Sequence, residues 1–383
     1  MNILIAPAPF KGSLSAGAAA QAMQAGVSAV LPDAAVVLLP VADGGEGTLD
    51  ALVTATRGKE VTATVTGPHG EPVRARYGIL GDEVTAVIEM AEAAGLPLVP
   101  PERRDPRLTT TRGVGELIKA ALDAGCRTFI VGIGGSATND GGAGMAQALG
   151  FHLLDSDGKE LSPGGGALAR LARITSTGAD ERLLGLRIIV ACDVENPLIG
   201  PEGASAVYGP QKGATPEMVR ELDAALANFA RIAARDLECD IAQMPGAGAA
   251  GGLGGGLVAF LDAQLRRGVQ VVFDALDFEE RAQHADLILT GEGRIDRQTA
   301  YGKALSGVAA VARRHDIPVL AFAGSVDADP DALHDLGITA AYSIVPPFVS
   351  EEAAVRNAHH LVQDAVERVM AAVAVGQRSH LRV

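Results

Sequence analysis

Short runs rich in β-branched residues that stop abruptly at Gly or Asp recur along this chain, at 3–7, 36–41, 128–132, 287–290, 319–323 and 341–345. Ala-rich stretches of helical period separate them, at 16–30, 115–124, 303–315 and 351–373. Apolar runs with no polar alternation suit strands buried on both faces, and helices between such strands cover those faces. The pattern predicts a doubly wound parallel sheet, flavodoxin- or Rossmann-like, within the α/β class.

Two segments interrupt the alternation. Residues 61–66, 73–79 and 84–88 flank the turn Gly67-Pro68-His69-Gly70 and read as hairpin-like antiparallel strands. Residues 151–283 follow neither pattern strictly, with a strand at 187–192, a helix at 216–237 and a second strand near 269–273. At 383 residues the chain exceeds what one core ordinarily supports. The expectation is therefore a parallel α/β domain of 1–59, 106–150 and 284–383, with a mixed α/β domain of 60–105 and 151–283 inserted into it.

Composition narrows the function classes. Net charge is −14, and the densest basic clusters are pairs such as Arg103-Arg104, Arg266-Arg267 and Arg313-Arg314, which argues against nucleic acid or an anionic membrane as partner. No apolar stretch approaches the length needed to span a bilayer, and the start lacks the basic flank and long apolar run of a signal peptide. Three scattered cysteines, Cys126, Cys192 and Cys239, suit a reducing cytoplasm better than a disulfide framework.

The strongest local signal is Gly132-Ile133-Gly134-Gly135-Ser136-Ala137-Thr138-Asn139-Asp140-Gly141-Gly142-Ala143-Gly144, between the strand at 128–131 and a helix at 145–149. A glycine loop entering a helix gathers backbone N–H groups and the positive helix end, which together bind anions. Gly134, Gly135, Gly141 and Gly142 allow close backbone approach, and Ser136, Thr138 and Asn139 add donors. Phosphate binding is favoured over a merely tight turn. No Gly-x4-Gly-Lys-[Ser/Thr] occurs, so a P-loop NTPase is excluded. A Gly-x-Gly-x-x-Gly match at Gly246, Gly248 and Gly251 follows Gln243 and Pro245 instead of a strand, which weakens a dehydrogenase reading and leaves glycine packing and ligand contact equally open.

A second signal, Phe10-Lys11-Gly12-Ser13-Leu14-Ser15, follows the first strand, where doubly wound sheets bind ligands. Lys11 can meet a phosphate or carboxylate, and Ser13 or Ser15 can cap the next helix. Three acidic loops follow apolar runs: Asp43-Gly44-Gly45-Glu46, Asp193-Val194-Glu195 and Glu292-Gly293-Arg294-Ile295-Asp296. Each alone reads as a turn or cap. Together with glycine cradles and a lysine they supply the parts of phosphoryl transfer, in which amides hold phosphates, carboxylates hold Mg²⁺ and one carboxylate takes the substrate proton. Arg294 can clamp a substrate carboxylate. The histidines form no such signature.

In these blocks the chain resembles the bacterial type I glycerate kinase family: Phe10-Lys11-Gly12-Ser13-Leu14-Ser15-Ala16 and residues 41–48, 132–150, 191–214, 245–252 and 289–296. The resemblance implies ATP-dependent phosphorylation of D-glycerate to 2-phosphoglycerate, on two α/β domains flanking a cleft. Ala8-Pro9 stands where similar proteins often carry Asp-Ser, so no carboxylate there can be essential. Asp193, ending a strand of the inserted domain and facing the nucleotide loops from it, is the expected base, with Asp296 and Asp43 as alternatives or as Mg²⁺ and substrate ligands. Lys11 joins the catalytic set, Ser13, Asp43, Glu46 and Arg294 the substrate site. The competing readings are a non-catalytic two-lobed small-acid binding protein and an NAD-dependent hydroxy-acid dehydrogenase. Leu and Val on the last helix suit a homodimer and a packed core equally.

Overall fold

The computed structural model describes residues 1–296 and 304–380. Two compact units emerge, one of Met1–Asp43, Asp50–Arg57 and Val272–Val383, the other of Gly44–Leu49 and Gly58–Val271. The expected α/β class is borne out, with one wholly parallel sheet and one mixed sheet.

In the first unit the parallel sheet runs Ala340–Ser343, Val319–Asp327, Leu287–Asp296, Asn2–Pro7, Ala35–Leu38. Asn2–Pro7 lies between Ala35–Leu38 and Leu287–Asp296; the chain passes from it to Ala35–Leu38 on one side and later returns to Leu287–Asp296 on the other, so the sheet has its topological switch point between Asn2–Pro7 and Leu287–Asp296. Ligands of open parallel sheets collect in such a crevice, at the carboxyl ends of the strands. The helix Ala16–Val30 starts where Ser15 accepts a hydrogen bond from the Ala18 amide at 3.2 Å, the ordinary N-cap contact. Its small residues let the helix Ala358–His380 approach closely: a Cβ on Gly26 would stand 2.6 Å from the Gln363 carbonyl. Ile3, Ile5, Met23, Val27, Phe322 and Val366 fill the core.

The second unit holds a six-stranded sheet, ordered Gln264–Arg266, Arg187–Ala191, Thr128–Gly132, Thr85–Glu89, Pro72–Ile79, Lys59–Thr66. The first four strands are parallel, and the hairpin expected around residues 67–70 adds the two antiparallel ones. The helix Pro216–Asp236 opens with a Thr215 cap and proline at its first position, and buries Leu222, Leu226, Phe229 and Ile232.

Several expectations are corrected. Thr128–Gly132 pairs with Thr85–Glu89 and Arg187–Ala191, so residues 106–150 belong with the mixed sheet and not with the first one. Periodicity identifies a buried strand but not its partner. The segment 269–273 lies inside a helix, Gly268–Ala275, whose first amide meets the Asp193 carboxylate at 2.8 Å. That cap and the burial of Val271, Val272 and Phe273 override the strand preference of valine. The acidic segment 290–296 is the continuation of a strand paired residue by residue with Val319–Asp327. The single helix expected at 351–373 is two, Glu351–Arg356 and Ala358–His380, interrupted at Asn357.

Candidate active site

In the second unit three neighbouring parallel strands deliver loops to one edge of the sheet. Glu89 ends the first of them, is buried, and accepts a hydrogen bond from the Leu49 amide at 2.8 Å, anchoring the segment Gly44–Leu49. That segment lies directly on the ends of the other two strands. A Cβ on Gly132 would stand 2.7 Å from the Gly44 carbonyl, and one on Gly44 would stand 2.6 Å from the Ala191 Cβ. Glycine is required at both places by close approach of backbone. Gly134 lies beside Gly45, and Glu46 projects exposed from the same segment.

The long glycine loop divides in two. Gly134 and Gly135 are exposed, and among the described residues their amides donate to nothing. From Ser136 onward the loop is buried. Asp140 is its hub: its carboxylate accepts from the Thr111 amide at 2.8 Å, the Thr111 hydroxyl at 2.9 Å, and the Gly142 and Gly144 amides, each at 3.2 Å. The Met145 amide donates to the Thr111 hydroxyl and the Gly141 amide to the Gly251 carbonyl, both at 3.0 Å. Donors expected to hold a phosphate at the start of the helix Ala143–Ala148 are thus engaged by the protein's own carboxylate, which takes the anion's place. Gly141 and Gly142 shape the interior, and only Gly134 and Gly135 offer amides outward. Burial pushes the Asp140 carboxyl up, and the bonds from Thr111, Gly144 and Gly142 pull it the other way.

Ser136 and Thr138 meet a residue the sequence reading did not single out. Lys212 is 1% exposed, and its Nζ donates to Ser136 Oγ and to the Thr138 carbonyl, both at 2.7 Å. Burial pushes its ammonium down to about 7, against the opposing pull of the Asp140 charge. Asn139 donates to Ser205 Oγ at 3.0 Å, while Asn139 Oδ1 and Thr138 Oγ1 are buried without a hydrogen-bond partner among the described residues. The second glycine-rich segment backs this loop: a Cβ on Gly251 would lie 2.0 Å from the Thr138 carbonyl, so here its glycine serves packing.

Asp193 follows the strand Arg187–Ala191, next to Thr128–Gly132 in the same sheet. It therefore shares a unit with the glycine loop, where an opposing domain was expected. One carboxylate oxygen is tied to the Gly268 amide at 2.8 Å.

In the first unit, residues 10–14 make a turn in which the Ser13 amide and hydroxyl both donate to the Phe10 carbonyl at 2.9 Å. Lys11 stands exposed on it, and a Cβ on Gly293 would lie 3.4 Å from the Lys11 amide nitrogen, which sets the turn beside the extended strand. Arg294 and Asp296, two residues apart, share a strand face. The Arg294 guanidinium is 63% exposed and reaches Asp296 and Asp327 at 3.5 Å each, loose ion pairs that a better-matched carboxylate can displace. Lys11, Ser13, Arg294 and Asp296 are thereby gathered at the switch point; Asp43 is half-buried in the same unit. Among the described residues no three His, Cys, Asp or Glu side chains converge as a metal cage. That fits Mg²⁺ only in its usual form, one or two carboxylates with substrate phosphates completing the shell.

The sequence model of the glycerate kinase family matches residues 3–374. Glycerate kinase of Bacillus subtilis (strain 168) is 53% identical over 381 residues, covering 100% of both chains. Glycerate 2-kinase of Escherichia coli (strain K12) is 50% identical over 379 residues, covering 99% of this chain and 100% of that one. A crystal structure assigned to glycerate kinase 2 of Salmonella typhimurium LT2 superposes with a TM-score of 0.91 at 51% identity, covering 99% of each chain. With one family model and such relatives matching from end to end, this chain belongs to the glycerate kinase family.

Proposed function

We propose that the protein transfers the γ-phosphoryl group of ATP to a hydroxyl of D-glycerate, giving 2-phosphoglycerate and ADP. The observation that carries this reading is the pair of outward glycine turns, at Gly44–Leu49 and at Gly134 and Gly135, set near Asp193 at the carboxyl ends of the parallel strands of one mixed sheet. Backbone amides there suit a polyphosphate, and a carboxylate beside them suits a hydroxyl proton. The name and 50% identity of the Escherichia coli relative point to the 2-hydroxyl.

In this scheme the substrate oxygen forms a bond to the γ-phosphorus as the bond from that phosphorus to the β-γ bridging oxygen breaks, and ADP leaves with the electron pair. Asp193 receives the hydroxyl proton. Lys11 and Arg294 supply positive charge for the glycerate carboxylate, Ser13 and Glu46 hydrogen bonds for its hydroxyls. Asp43 or Asp296 would hold Mg²⁺, which would supply neutralising charge for the polyphosphate. A cytoplasmic location is part of the proposal, supported by three unpaired cysteines; among the described residues no helix is long and apolar enough to cross a membrane.

Purified protein supplied with MgATP should release ADP in proportion to added D-glycerate, with NMR of the product showing phosphate on C2. Absence of glycerate-dependent ADP would remove the assignment.

A further inference from the structure

A buried ammonium is expensive, because burial strips its hydration, and it persists where something depends on it. Lys212 is such a group. It ends the turn Pro210–Lys212, and the following Gly213, at φ +92°, packs so tightly that a Cβ would stand 2.4 Å from the Arg104 carbonyl. Glycine is thus required after the lysine, whose own side chain is buried. Its two acceptors, Ser136 Oγ and the Thr138 carbonyl, flank Ala137, and Ser136 directly follows Gly134 and Gly135. The other side of this stretch is clamped by backbone: the Leu96 amide donates to the Gly135 carbonyl at 2.8 Å, and the Ala137 amide to the Ala94 carbonyl at 2.9 Å. The outward glycine turn is therefore gripped at its base from two sides, by main chain and by one charged side chain.

We propose that Lys212 is a positioning residue for phosphoryl transfer: by holding Ser136 and the Thr138 carbonyl it sets the Gly134 and Gly135 amides in the arrangement that receives the nucleotide phosphates. A neutral donor could make the same two bonds, but only a cation adds attraction for a polyanion in a water-poor setting. Lys212 acts through the loop and is not assigned a contact with substrate. The inference rests on the reading of this loop as the phosphate site.

The test compares wild type with Lys212→Met, which keeps the side-chain length and removes the donor, and with Ser136→Ala, which keeps the lysine and removes one acceptor. Readouts are KM for ATP, KM for D-glycerate, kcat, and equilibrium binding of a fluorescent ATP analogue, with circular dichroism confirming the fold. Loss of charge-assisted hydrogen bonds predicts a rise of about 10- to 100-fold in KM for ATP and in analogue Kd for Lys212→Met. KM for D-glycerate should stay within about threefold, since uniform loss of folded protein lowers kcat and moves neither KM. Ser136→Ala should shift the same two constants by less, and adding it to Lys212→Met should cost less than it does in wild type. Unchanged analogue binding in Lys212→Met overturns the proposal, as does an equal rise in both KM values. If Lys212→Met does not fold, Ser136→Ala decides alone: no shift in nucleotide constants overturns it. A wild type that binds the analogue but turns over no glycerate would count against the proposed function and leave this inference standing on its binding readout.

Discussion

Asp140→Ala should lower the unfolding free energy by about 3–5 kcal/mol, the scale expected when a buried hydrogen-bond hub is removed and several donors are left unsatisfied. The carboxylate accepts four hydrogen bonds in the interior, and without it three backbone amides, those of Thr111, Gly142 and Gly144, lose their acceptor at once. Each buried unsatisfied group costs on the order of 1–3 kcal/mol, and the total falls short of their sum because the loop relaxes and water enters. The variant also removes the negative charge that opposes the downward push of burial on the Lys212 ammonium. Asp140→Asn is the sharper probe, because its amide turns N–H groups toward a ring of donors; it should destabilise nearly as much despite its matching size. Urea unfolding at constant m-value measures both, and hydrogen exchange over residues 128–149 shows whether the loss is local to the loop. A change under about 1 kcal/mol in both variants would mean that the glycine loop holds its shape without the carboxylate.

Why this hub escaped a sequence reading is instructive. Thr-Asn-Asp-Gly-Gly reads as a polar turn at the end of a strand, and the strand and turn are indeed there. What the string cannot display is Thr111, 29 residues earlier, supplying two of the four donors. Lys212 was hidden for a related reason: Gly209-Pro210-Gln211-Lys212-Gly213 has the composition of an exposed turn, and the acceptors that meet its side chain, Ser136 and Thr138, lie more than 70 residues earlier. Its place in the block 191–214, which resembles the family, was the one available signal. Local signals fared better wherever chemistry within a few residues decides the outcome. Ser15 before an alanine run defines the helix Ala16–Val30 to the residue, and Thr215-Pro216 does the same for the start of Pro216–Asp236. Sheet membership is not local. Thr128–Gly132 was recognised as a buried strand and assigned to the wrong sheet, because its partners lie at 85–89 and 187–191. The extension of Leu287–Asp296 past its glycines depends likewise on pairing with Val319–Asp327.

Asp193→Asn should reduce kcat by about 10²- to 10⁴-fold, the range associated with general-base catalysis, with both KM values within a few-fold of wild type. The substitution suits the question because of how the side chain is held. One oxygen accepts from the first amide of the helix Gly268–Ala275, at 2.8 Å, and an asparagine keeps an oxygen for that bond. Position, size and helix capping are thus preserved, and what disappears is the negative charge and the capacity to take a proton. A residue that only caps the helix would tolerate the change at a cost of tenths of a kcal/mol to about 1 kcal/mol in stability, without a large effect on turnover. A residue that accepts the glycerate hydroxyl proton cannot. Rapid-quench measurement of the first turnover separates the chemical step from product release, so the loss should appear there as well as in the steady state. A loss of less than about tenfold would transfer the role of base to Asp296 or Asp43, in the other unit, and the same substitution at each would then locate it.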